Sequence, residues 1–162
     1  EMAKLNKSGE SAANGISRGE SLPVIGLADI AASKERFGNR AGSPLHGRIL
    51  KELYLKAGGG CAMLLSHRPH LLPLYCAAGI PLVLSGHAHG GQIRLPFIGG
   101  LLAPEQGWFP PYTSGVHHSG KTTLVISRGL GNSLFPFRIF NRPEVVCLSL
   151  TSDKGDAKPD ET

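Results

Sequence analysis

Two imidazoles, His87 and His89, stand inside Leu84-Ser85-Gly86-His87-Ala88-His89-Gly90-Gly91, where an apolar run stops abruptly and glycine takes over. An earlier apolar run stops the same way, in Leu64-Leu65-Ser66-His67. Neutral imidazole is a good ligand for zinc, iron and manganese, and a strand end can hold it rigidly. An extended backbone through the pair would turn residues i and i+2, and so both rings, to one face. The surrounding glycines let the chain pass close to an ion or a phosphate. His67, His87 and His89 are therefore the candidate metal ligands. The competing reading is three histidines hydrogen-bonded in turns, with no metal.

The elements that would position these rings follow from the apolar pattern. Leu22 to Ala28 suits a strand, and Ala31 to Ser43 is loop-like. Pro44 to Ala57 reads as a helix with Ser43 as its cap and Pro44 in its first turn. After Gly58-Gly59-Gly60 come a buried strand over Cys61 to Leu65, a short helix over Leu71 to Ala78, and another buried run over Pro81 to Leu84. Strand, helix, strand favours a sheet with helices packed on it, and ligands then collect where strand ends meet loops. Gln92 to Leu95, Tyr112 to His117, Thr122 to Ser127 and Glu144 to Leu150 are short, β-prone and separated by turns, which predicts a mostly antiparallel second half. Pro96 to Pro111 is nearly uncharged and apolar, either a covered loop or an apolar lip. Residues 1–20 read as a flexible leader and 151–162 as a disordered tail, leaving 21–150 as one partial domain.

Composition narrows the function. The 162 residues with 41% apolar content are enough for one core, and no segment has the length or flanks of a membrane span or signal peptide. The net charge of +5 comes from scattered basic residues, so nucleic acid is not indicated. Cys61, Cys76 and Cys147 are too far apart for a metal knuckle and read as buried free thiols. Carboxylates are the scarce group: between Leu53 and Pro143 the only one is Glu105, while six of the seven histidines lie from His67 to His118. Hydrolytic metal sites usually want both types of ligand.

Leu65-Ser66-His67-Arg68-Pro69, Gly86-His87-Ala88-His89-Gly90-Gly91-Gln92 and Ser127-Arg128-Gly129-Leu130-Gly131 resemble the C-terminal half of a calcineurin-like metallophosphoesterase. The G-H-x-H element is a hallmark of that family. Gly26 to Asp29 is similar to the segment after its central metal motif, and Arg142-Pro143-Glu144 resembles the close of its bacterial membrane-associated branch. The likeness covers about residues 22 to 150. It implies an α/β fold, part of a four-layer α/β/β/α sandwich, with two divalent metal ions in the complete enzyme (Mn, Fe or Zn). His67 and His87 would serve one metal and His89 the other, for hydrolysis of phosphomonoesters, phosphodiesters or pyrophosphates. The family's D-x-H, G-D and G-N-H motifs are absent from this chain, so the resemblance implies a truncated C-terminal half without a catalytic residue of its own, completed by the missing N-terminal half. The alternative is an inactive or partner-dependent remnant.

Arg68, Gln92, Arg94 and Arg128 lie beside these motifs and could hold phosphate oxygens, the arginines through charge-assisted bonds, although single polar residues in loops are as often structural. The expected partner is a phosphorylated small molecule or a lipid-like phosphate, the latter because of the apolar stretch from Phe97 to Phe109, which also points to peripheral membrane contact. The compartment, cytoplasmic or membrane-associated, is not legible. Gly115 to Thr122 matches the G-x-x-x-x-G-K-T pattern of a phosphate-binding loop, but the β-branched run after it reads as a hairpin strand, with His118 to Lys121 as its turn. His46, His70, His117 and His118 are placed on surfaces outside the site.

Overall fold

Four short apolar runs that lie side by side in one direction carry the molecule. The computed structural model of the chain describes residues 3–5, 22–29, 44–132 and 137–150. The remainder of the leader, the tail, the segment read as a loop before the first helix and its cap at Ser43 lie outside the described residues. Strand β1 (Ala3–Leu5) falls within the leader. Next come β2 (Val24–Leu27), helix α1 (Pro44–Lys56), β3 (Met63–Ser66), helix α2 (Leu72–Ala78) and β4 (Leu82–Ser85). Six short strands follow: β5 (Arg94–Leu95), β6 (Gly99–Gly100), β7 (Leu102–Ala103), β8 (Gly107–Trp108), β9 (Gly115–Ser119) and β10 (Thr122–Ile126). The last described strand is β11 (Leu148–Leu150), parallel to β1.

The main sheet has the order β2-β3-β4-β10-β9. β2, β3, β4 and β10 run parallel, and β9 is antiparallel to β10 at one edge. The fold is α/β with a mixed sheet. Both helices end as their glycines dictate: after α2, Gly79 adopts φ 78°, and Gly79 and Ile80 donate back to the carbonyls of Cys76 and Tyr75 at 3.0 and 3.1 Å. Ile25, Leu64, Val83, Leu124 and Ile126 from successive strands meet Leu50 of α1 and Leu72, Tyr75 and Ala78 of α2 in one core. The other sheet face carries Val24, Met63, Leu65, Leu82 and Leu84, none of them fully buried, with Val24 53% and Leu65 44% exposed.

The expectation of a mostly antiparallel second half holds for the pairs β5–β6, β7–β8 and β9–β10, but β10 has a second, parallel neighbour. β10 pairs in parallel with β4 and is antiparallel only to β9, because Leu124-Val125-Ile126 is buried on both faces and so belongs inside a parallel sheet. The β9–β10 hairpin turns on Gly120-Lys121, with Thr122 opposite Ser119 and Gly120 at φ 56°. The phosphate-loop pattern is thus a hairpin with no helix after it. The thiols are free, as expected, but Cys61 and Cys76 are only half-buried and Cys147 is exposed. His46 is buried on α1, not on its surface.

Leu64→Ala, which empties a fully buried position, should cost about 2–5 kcal/mol, whereas Leu65→Ala next to it should cost under about 1 kcal/mol. Urea unfolding of the two variants reads the difference.

Candidate functional site

Every parallel strand ends toward the same edge of the sheet, and the polar groups of interest follow those ends. Asp29 lies two residues beyond β2, His67 and Arg68 follow β3, His87 lies two beyond β4, and Arg128 lies two beyond β10. Open parallel sheets collect ligands at this carboxyl edge, because side chains there leave the sheet together.

The loop after β4 is not extended. His87 has φ 65°, His89 φ 46°, Gly90 φ 68°, Gly91 φ 78° and Gln92 φ 57°, with Ala88 helical and fully buried between the two histidines. The idea that an extended backbone turns both rings to one face therefore fails. Three non-glycine residues at positive φ, His87, His89 and Gln92, cost of order 1–3 kcal/mol each, and such outliers cluster at functional sites. Asn141, 2% exposed, holds the loop by donating from Nδ2 to the carbonyls of His89 at 2.6 Å and Gln92 at 3.2 Å. Glycine is obligatory in this loop: a Cβ on Gly90 would lie 2.2 Å from Asn141 Oδ1, and one on Gly91 2.3 Å from the Cα of Gly100.

His67 and His87 come together with ring centroids 4.4 Å apart. Nε2 of His87 is buried with no hydrogen-bond partner among the described residues. Burial, then the neighbouring His67 and Arg68, push the His87 pKa down against the pull of Glu105 and Asp29, which favours the neutral, ligating form. His89 is half-buried on the other side of Ala88. Among the described residues no three His, Cys, Asp or Glu side chains are arranged to hold a metal ion. The His67–His87 pair, with an unpartnered buried nitrogen, still suits part of a ligand set.

Each residue proposed to hold phosphate already has protein partners nearby. Arg68, 8% exposed, donates Nε to Asp29 Oδ1 at 2.5 Å and pairs through Nη1 with Glu105. Burial opposes its charge, but those two carboxylates outweigh it and its pKa is raised. Tyr75 braces the same residue, its hydroxyl donating to the Arg68 carbonyl at 2.6 Å beside Ser66 Oγ, and burial pushes its pKa up to about 12. Arg94 Nη1 donates to the Gly90 carbonyl at 2.9 Å and to Ser114 Oγ at 3.1 Å. Arg128 donates Nε to Glu144 Oε2 at 2.6 Å, pairs with it again through Nη2, and donates its backbone N–H to Oε1 at 3.2 Å. Gln92 bonds through its backbone, accepting from Asn141 and from Ile139 N at 3.3 Å.

Glu105, Asp29, His70 and Asn141 belong to this environment although none is a candidate by sequence motif. Glu105 Oε2 lies 3.7 Å from Nε2 of both His70 and His87. Its isolation as the only carboxylate between Leu53 and Pro143 is the sequence signal that marks it. His117 and His118 sit on β9, bonded to the Ser114 carbonyl and to Thr123 Oγ1.

Three relatives can now be set beside this geometry. The chain is 38% identical over 91 residues to the uncharacterized metallophosphoesterase YkuE of Bacillus subtilis, covering 56% of this chain and 31% of that protein. It is 35% identical over 88 residues to the phosphodiesterase YaeI of Escherichia coli, covering 54% and 32%. An uncharacterized metallophosphoesterase of Campylobacter jejuni is 35% identical over 133 residues, 80% of this chain and 33% of that protein. No family model matches the chain, and no solved structure does. Over the part it shares with them, the chain is similar to proteins named metallophosphoesterase or phosphodiesterase. It spans about a third of the length of these curated relatives.

Hydrogen bonds from Arg128, against the cost of burial, hold the Glu144 carboxyl below its usual pKa of 4.5. A depressed carboxylate stabilises the fold above that pH, and the contribution is lost as pH falls through the folded value. Glu144→Gln should therefore lower stability by about 1–3 kcal/mol at pH 7. Its deficit against wild type should shrink as pH falls below 4.5, which urea midpoints measured across a pH series would show.

Proposed function

We propose that this chain is the C-terminal part of a metal-dependent phosphoesterase and contributes His67, His87 and His89 to its metal centre. The observation that carries this reading is the buried Nε2 of His87, which makes no hydrogen bond among the described residues and lies beside the His67 ring, 3.7 Å from Glu105 Oε2. His67 and His87 would hold one divalent ion (Mn, Fe or Zn) and His89 would face a second. When bound, such metals polarise a phosphoryl oxygen and make a nucleophile from water at neutral pH. The residues of this chain do the holding: Asn141 fixes the loop that carries His87 and His89, and the β3 and β4 ends set the spacing of His67 and His87. The remaining ligands and the proton donor would come from an N-terminal half. The half-exposed apolar face of the main sheet supports a four-layer α/β/β/α sandwich, since a parallel sheet is normally covered on both sides.

The substrate we favour is a phosphate ester with a lipid-like part at a membrane surface. Phe97, Ile98, Trp108 and Phe109 are each at least 60% exposed around the β5–β8 hairpins, and the net charge of +5 complements anionic headgroups.

Hydrolysis of bis(p-nitrophenyl) phosphate with added manganese, together with a Co²⁺ absorbance titration, tests the metal reading. Wild type should bind Co²⁺ at least about tenfold more tightly than His87→Ala, and any turnover should vanish in the variant. Equal Co²⁺ affinity would overturn it, whereas binding without turnover is the result expected of a chain that lacks the ligands and proton donor of the N-terminal half. For the membrane reading, Trp108→Ser with Phe109→Ser should weaken sedimentation with phosphatidylglycerol vesicles by about tenfold or more. Unchanged sedimentation removes the lipid-surface proposal and leaves the metal site untouched.

A further inference from the structure

Glu105 sits where its backbone gains nothing. It is the third residue of the turn Ala103-Pro104-Glu105-Gln106, closed by Gln106 N donating to the Ala103 carbonyl at 3.2 Å, and it has φ 62°. Glycine or asparagine normally fills that position of a turn with proline second, because a side chain there is strained. What the strain holds in place is the carboxylate. It pairs with Arg68 through Oε1 and lies 3.7 Å from Nε2 of His70 and of His87 through Oε2.

Arg68 does not need this partner for charge balance, since Asp29 already accepts from its Nε. Glu105 is a second carboxylate on one guanidinium, and its side chain is 41% exposed against 10% for Arg68. Gln106 pins the turn at both ends of its amide, donating to the Tyr112 carbonyl at 2.9 Å and accepting from Tyr112 N at 3.1 Å. The carboxylate can therefore leave by side-chain rotation alone, with the hairpin standing. Its departure would free one edge of the Arg68 fork beside His70 Nε2, two donors suited to a tetrahedral oxyanion.

We propose that Arg68 and His70 form a phosphate-binding pocket that the chain's own Glu105 carboxylate occupies in the resting state, and that a phosphate displaces it. The identity of the anion rests on the phosphoesterase reading, while the pocket itself requires no metal. Its position 3.7 Å from His87 through the shared carboxylate oxygen sets it directly beside the imidazole pair.

The test is calorimetric titration of inorganic phosphate into the metal-free chain, with chelator present, for wild type, Glu105→Gln and Glu105→Gly. A tethered carboxylate competes at an effective concentration in the millimolar range, so both variants should bind phosphate at least about tenfold more tightly than wild type. Glu105→Gly also relieves the positive φ, so its fold is not at risk from the change. Adding His70→Ala to Glu105→Gln should abolish the gain. Equal phosphate affinity in wild type and both Glu105 variants, or a gain that survives loss of His70, overturns the proposal. Because metal is excluded, either result leaves the His87 metal test standing on its own.

Discussion

Parallel pairing of β2, β3, β4 and β10 is the constraint on which the rest depends. The register places Leu27 beside Ser66, Leu64 beside Val83, and Ile126 beside Ser85, so the four strands stop at nearly the same level. Four chain exits then crowd one edge, where Arg68 meets Asp29, His87 lies near Glu105, the second partner of Arg68, and Arg128 pairs with Glu144. Remove the parallel register and Arg68 loses Asp29, since 39 residues separate them in sequence. The apolar content of the strands thus places the polar groups.

The chain treats those polar groups in two ways. Arg128 and Arg94 are committed, the one to Glu144 and the other to carbonyl and hydroxyl oxygens, while Arg68 divides itself between Asp29 and Glu105. Two histidine nitrogens are not hydrogen-bonded, Nε2 of His87 and Nδ1 of His70 being buried without a hydrogen-bond partner among the described residues. A buried polar atom left unpaired costs about 1–3 kcal/mol, so a fold that keeps one is spending stability where a ligand would recover it.

Much of this was legible in the residues. The stops at Ser66-His67 and Gly86-His87 marked both strand ends because apolar runs and glycines act locally. The α2 helix, Leu72–Ala78, and the Gly120-Lys121 hairpin were readable for the same reason. Long-range pairing was not. β10 looks like any β-prone hairpin strand until its neighbour β4, some 40 residues earlier, buries its second face. The left-handed backbone at His87 and His89 was hidden too, since only glycine advertises positive φ, and the Asn141 bond that sustains it spans 52 residues. Glu105 was visible as a scarce carboxylate, but its closeness to Arg68 arises from the β7–β8 hairpin folding back.

The meeting of Gly91 with Gly100 has its own bearing on how such a chain can change over time. Main chain rests on main chain there, so neither position can accept even a methyl group without shifting the loop that carries His87 and His89. That contact works as a fixed rivet. Beyond it Trp108 and Phe109 are largely exposed, and their side chains can change without disturbing that contact, whereas Ala103 is buried and Glu105 reaches back to Arg68. Descendants could therefore acquire new docking preferences through those two aromatic positions while the imidazole framework beneath stays unaltered.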